Sequence, residues 1–148
     1  MAYLDWSPAL DTGIDIIDSQ HKRIVDYINQ LHDARQDGDR ERVGDVIEEL
    51  VDYTISHFAF EESLMENAGY PFLAPHKKVH GLFVKKVERF VQRFEAGEEV
   101  ADELLGMLQK WLVNHIRNED GDYTGVVLKN MKRMQRGWLS RALGSFFG

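Results

Sequence analysis

Five of the six histidines in this chain stand where leucine or isoleucine would be expected. Ile14, Ile17, His21, Ile24, Ile28 and Leu31 step by threes and fours, the spacing of a helix that buries one stripe. Val43, Ile47, Leu50, Thr54, His57, Glu61 and Leu64 form a second such seam, and His76, His80, Phe83, Val87, Phe90 and Phe94 a third. Leu104, Leu108, Trp111 and His115 form the fourth. Breaks fall at Asp37-Gly38-Asp39, at Asn67 to Pro71 and near Gly97, and the fourth run is expected to weaken at Asp120-Gly121-Asp122. Short turns between amphipathic helices favour antiparallel neighbours. The expected fold is therefore all-α, an up-down-up-down four-helix bundle. An N-terminal arm precedes it, from Met1 to about Ile14 with Pro8 and Gly13, and Val126 to Met134 reads as a short fifth helix. Residues 1–135 are expected to form the bundle domain, and residues 136–148 an amphipathic, basic C-terminal helical tail.

Polar groups on a buried seam need partners. Five imidazoles and a carboxylate without them would each cost roughly 1–3 kcal/mol, against the ~5–15 kcal/mol that keeps a domain folded. The spacing indicates what the partners are. His57 with Glu61, and His76 with His80, are four apart, so each pair projects from one helix face about 6 Å along the axis, suited to chelating one ion or clamping two. Imidazole serves zinc, copper, iron and nickel alike. Five histidines and a carboxylate exceed a four-coordinate zinc site, whereas two carboxylate-bridged metals would use them all. Neither the Glu-x-x-His of ferritin-like proteins nor the His-Glu-x-x-His of zinc proteases is present.

Composition narrows the choice further. With 148 residues, the chain is long enough for one core and short for two. Eighteen Lys and Arg against 25 Asp and Glu give a charge of -7, which argues against nucleic acid as a partner. Without cysteine there can be no disulfide, thiolate zinc site or iron–sulfur cluster, so any metal is held by nitrogen and oxygen. No basic and apolar leader and no apolar run of spanning length is visible, and the expected location is cytoplasmic.

Taken together, the motifs resemble the bacterial members of the hemerythrin family over about Asp5 to Met131. They are Trp6 to Gly13 followed by Asp18-x-x-His21; His57-Phe58-x-x-Glu61; Gly69-Tyr70-Pro71 before His76-x-x-x-His80; and Trp111-Leu112-x-x-His115-Ile116-x-x-x-Asp120-x-x-Tyr123. The resemblance implies a non-haem di-iron centre. His76, His80 and His115 would bind one iron and His21 and His57 the other, with Glu61, Asp120 and an oxo or hydroxo group as bridges. The second iron would keep an open position for dioxygen. Seam spacing alone points instead to Glu119, at i+4 from His115; Asp120, at i+5, lies about 140° away on an ideal helix. A π-like turn late in the fourth helix would bring Asp120 round, and Asp120 is the expected bridge.

Ile24, Phe58, Leu112 and Ile116 are expected to wall the open position, leaving no acid or base to help cleave the O–O bond. The expectation is thus reversible dioxygen binding, for transport, storage or delivery, and not an enzyme. The alternatives are oxygen or redox sensing, or a di-iron enzyme such as a peroxidase or nitric-oxide-handling protein. Trp111 reads as core and Tyr123 as a hydrogen-bonding group near Asp120. His32, the sixth histidine, lies about 16 Å along the helix from His21 and belongs to the bundle's end. The tail, with Arg133, Arg136 and Arg141 beside Trp138, Phe146 and Phe147, would dock on the bundle or make a weak contact with a membrane surface or protein. The chain is expected to be a monomer.

Overall fold

The computed structural model describes residues 3–133 and 136–147, apart from the side chains of residues 119–122 and 136–139. After a 3-10 turn at Pro8–Leu10 come α1 (Asp15–Gln36), α2 (Arg40–Asn67), α3 (Leu73–Glu95), α4 (Ala101–Asp122), α5 (Thr124–Met131) and α6 (Arg136–Phe147). The helix ends follow local chemistry. Asp39 caps α2 by accepting from the Arg42 backbone N–H at 3.1 Å. Gly69, at φ 68°, takes the left-handed conformation that closes α2, and its N–H donates to the Glu66 carbonyl at 3.1 Å.

Two apolar clusters fill the interior. One contains Ile14, Ile17, Phe60, Leu64, Met65, Tyr123 and Val127. The other, larger, contains Ile24, Ile28, Leu31, Leu50, Phe83, Val87, Leu104 and Leu108. α1 and α3 run from the smaller cluster toward the larger, and α2 and α4 return, which is the up-down-up-down course. The seam histidines fall where each helix passes from one cluster to the other. They therefore form a polar layer between two dry halves.

The arm is fixed to the bundle by a buried carboxylate. Asp18 accepts from the Thr12 backbone N–H at 2.8 Å and the Thr12 hydroxyl at 2.7 Å, and from the Gly13 N–H at 3.3 Å. This accounts for the Asp18-x-x-His21 motif: the carboxylate pins the first turn of α1, and His21 sits one turn further on. Further out, Asn29 exchanges two hydrogen bonds with the backbone of Leu4, at 2.8 and 2.9 Å.

Three expectations are corrected. α4 does not weaken at Asp120-Gly121-Asp122; it is α-helical through Asp122, and no π turn interrupts it. The fifth helix spans Thr124–Met131 and not Val126 to Met134. Of the two readings of the tail, the docked one holds for the described residues: α6 packs along α2, with Phe147 5.4 Å from the Tyr53 ring and 5.9 Å from Phe60, and Phe146 6.3 Å from Phe60. The side chain of Trp138 lies outside the described residues. His32 is, as expected, remote from the polar layer, stacked on Tyr3 at 4.9 Å.

Candidate metal centre

The layer is organised around one oxygen atom. Oε1 of Glu61, fully buried on α2, faces Nε2 of His57 at 3.0 Å, Nε2 of His115 from α4 at 3.4 Å and Nε2 of His80 from α3 at 3.7 Å. His21 joins from α1, its ring 4.8 Å from His57 and 5.8 Å from His115. Ligand atoms of His21, His57, Glu61 and His115 all lie within 4.8 Å of one another, and all four residues are buried. His76 is brought less close. It is half-buried one turn before His80, their rings 6.3 Å apart, and it stands between Tyr70 and Tyr123 at the edge of a cleft of about 460 Å³.

The outer nitrogens determine what the inner ones can do. Nδ1 of His57 meets Oε1 of Gln20 at 2.6 Å, and Nδ1 of His80 meets a carboxylate oxygen of Glu62 at 3.0 Å. Both partners are acceptors, so each Nδ1 carries the proton and donates it. In the neutral ring, Nε2 then presents a lone pair to Glu61. A lone pair and a carboxylate oxygen repel unless a proton or a cation lies between them. His57 Nε2 and Glu61 Oε1 are both buried without a hydrogen bond. The donor set, nitrogen and carboxylate oxygen with the outer nitrogens anchored, fits a metal ion of the imidazole-binding series.

Electrostatics agree. Burial, and then the neighbouring His57, hold the His21 imidazole well below its ordinary pKa, so it is neutral and able to ligate. For Glu61, burial alone would raise the pKa, but positive charge or a donated proton at His57 and His115 outweighs it and keeps the carboxyl well below the usual range, the same demand for a proton or cation between them. The carboxylate is ionised. Its other oxygen, Oε2, accepts from the Tyr123 hydroxyl at 2.6 Å. Tyr123, the hydrogen-bonding group expected near Asp120, thus donates to Glu61. The side chains of Asp120 and Glu119 lie outside the described residues.

Ile24, Leu112 and Ile116 are buried in the larger cluster against the layer. Phe58 lies flat on His80, ring centroids 3.9 Å apart, and closes the His80 side more than the His21 side. Trp111 is half-buried and stacks on His115 at 4.7 Å and on Phe83 at 3.8 Å. It is more than core, since it forms a wall of the cleft beside His76 and His115. Sequence reasoning missed Gln20 and Glu62. Each is adjacent to a seam residue but off the seam, and periodicity assigns such positions to solvent.

A protein-family model described as "Hemerythrin HHE cation binding domain" matches residues 12–127. A bacteriohemerythrin of Pseudomonas aeruginosa is 54% identical over the full length of both chains. One from Methylococcus capsulatus is 38% identical, covering 83% of this chain and 95% of its own. A crystal structure of wild-type hemerythrin superposes with a TM-score of 0.80 at 35% identity, over 85% of this chain and 98% of that one.

Proposed function

The chain belongs to the hemerythrin family, and from that premise we propose that it binds dioxygen reversibly at a non-haem di-iron centre, for transport, storage or delivery. In this reading His76, His80 and His115 hold one iron, His21 and His57 the other, and Glu61 bridges them with Asp120. Two ferrous ions at this position would supply the electrons and the open coordination position that dioxygen binding needs. One observation carries the reading: a buried Glu61 carboxyl oxygen confronted by imidazole Nε2 atoms from three helices.

The chain's own residues do the rest. Gln20 and Glu62 hold the His57 and His80 rings with their lone pairs inward. Tyr123, donating to Glu61 Oε2, fixes the carboxylate plane. Ile24, Leu112 and Ile116 exclude water from their side of the layer and offer no proton to a bound ligand, which favours release over loss of a reduced product. Of the two carboxylates late in α4, Asp120 remains the proposed second bridge on the strength of the family motif, and Glu119 is the competitor that the unbroken α4 favours.

Anaerobic loading with ferrous iron should place two irons on each chain. Raising and lowering oxygen pressure should then make near-ultraviolet and visible charge-transfer bands appear and vanish. Oxidation that does not reverse on the first exposure, or turnover with an added reductant, would overturn the binding reading. A chain that takes up a single zinc and no iron would overturn the centre itself. In the same assay Asp120→Asn should lower iron content to about half or less while Glu119→Gln leaves it intact; the opposite result transfers the bridge to Glu119.

A further inference from the structure

α3 is the least covered helix of the bundle. Of its 23 residues only His80, Phe83, Val87 and Phe90 are buried. Its backbone packs on α2, as that of α4 does on α1, while α3 and α4 meet through side chains, Phe83 stacked on Trp111 and Arg93 paired with Glu103, beside two adjoining clefts of about 460 and 560 Å³ that share Val79, Trp111 and Asn114. The second cleft is a groove with an apolar floor of Val79, Leu82, Met107 and Trp111 and a lysine on either rim, Lys86 from α3 and Lys110 from α4. Val79 and Leu82, which lie off the buried seam of α3, are 56% and 59% exposed and give the groove an apolar surface open to solvent.

Charge sets this helix apart. The chain carries -7, yet α3 has six Lys and Arg and only two Glu. Gly106 lies in the interior of α4 on the groove wall. Nothing lies within 4 Å of where its Cβ would be, and its φ is helical. Packing and backbone conformation therefore give no reason for a residue that weakens a helix. The space beside Gly106 is open, so a larger side chain there would project into the groove.

We propose that this groove is the docking site of an acidic, one-electron donor protein that returns the centre to its ferrous state. The inference rests on the di-iron reading, since reversible dioxygen binding requires ferrous iron and a diferric centre would stay inert without a reductant. Charge complementarity selects the partner. The net charge of -7 repels an acidic protein from much of the surface, and the lysines on the groove's two rims admit it here. A small apolar floor with a lysine on either side suits a weak, transient redox encounter. The floor also reaches the centre: Trp111 lines the groove and stacks on His115. Each encounter passes one electron from the donor, which is oxidised, to one ferric ion. Two encounters restore both irons.

Reduced plant-type ferredoxin serves as the acidic probe, mixed at low salt with the diferric protein. Reduction should quicken in proportion to ferredoxin and slow as salt is added. The double variant Lys86→Glu/Lys110→Glu should slow it by about tenfold or more, and Gly106→Leu, which fills the groove, should slow it comparably while raising thermal stability. Reduction by dithionite should be the same in all three proteins. Separately, oxidised ferredoxin added to the iron-free chain should shift backbone amide resonances along α3 and α4 at the groove. Equal ferredoxin rates in the variants, or amide shifts on another face, would overturn the proposal. So would a double variant that loses only its binding to phosphatidylglycerol vesicles, which would make the face a membrane contact. Failure to load iron, or resistance to dithionite, would overturn the di-iron reading instead, and the amide shifts would still decide where the acidic protein docks.

Discussion

At the scale of single residues, the centre depends on side chains that never face it. Gln20 holds His57 at 2.6 Å from a site 4% exposed, and its loss would leave the imidazole free to turn. Replacing Gln20 with Leu, similar in size and apolar, is expected to weaken iron binding by about 10–100-fold, the usual cost of removing such a partner. Competition with a calibrated chelator measures this, and an unchanged affinity would mean that His57 is held by packing alone. The five seam histidines and Glu61 were legible because each breaks an apolar periodicity. Gln20 and Glu62 were not, because a polar residue off the seam looks the same in one dimension whether it faces water or a histidine. The choice between Glu119 and Asp120 was equally closed to periodicity, since it turns on side chains about 100° apart on one helix.

At the scale of elements, the four principal helices were readable from spacing and from glycines that end them, and only the end of α4 and the limits of α5 differ. The tail was harder. An amphipathic basic segment has the same pattern whether its apolar side meets a membrane, a partner or its own bundle. Here Phe146 and Phe147 cover Phe60, the neighbour of Glu61, and Phe147 also meets Tyr53. Removing residues 136–148 is expected to leave a folded bundle of residues 1–135 that is less stable by ~2–4 kcal/mol, the worth of two partly buried aromatic rings and their neighbours. Urea unfolding of the two lengths measures the difference. A truncated chain of undiminished stability would show that α6 adds no net free energy by docking, and one that does not fold would make the tail part of the domain.

For the molecule as a whole, a neutral His21 and an ionised Glu61 inside one layer make stability depend on acidity in a defined direction. His21 is held below its ordinary value of 6.5, so the unfolded chain takes the proton first, and its contribution to stability is complete above 6.5 and declines as pH falls below it. Glu61 is held below 4.5, so its contribution is complete above that value and is lost at lower pH. The iron-free protein should therefore weaken in two stages on acidification. Each tenfold difference in proton affinity between the folded and unfolded chain is worth about 1.4 kcal/mol, enough to move a melting temperature measurably. Thermal unfolding of the iron-free chain between about pH 8 and 4 checks the direction; a melting temperature that rises toward acid would contradict it.

His76 stands in the first turn of α3, but His21, His57, Glu61, His80 and His115 lie six or more residues inside the ends of their helices, with an apolar cluster above and below. Fraying, which opens helices from their ends at almost no free-energy cost, never reaches them. An ion held among His21, His57 and Glu61, on the side away from the cleft, leaves only when two helices part over several turns, a rare event shared with the slowest-exchanging backbone amides. The lifetime of the bound metal and the protection of those amides are then two clocks set by one motion, and a change that speeds one speeds the other.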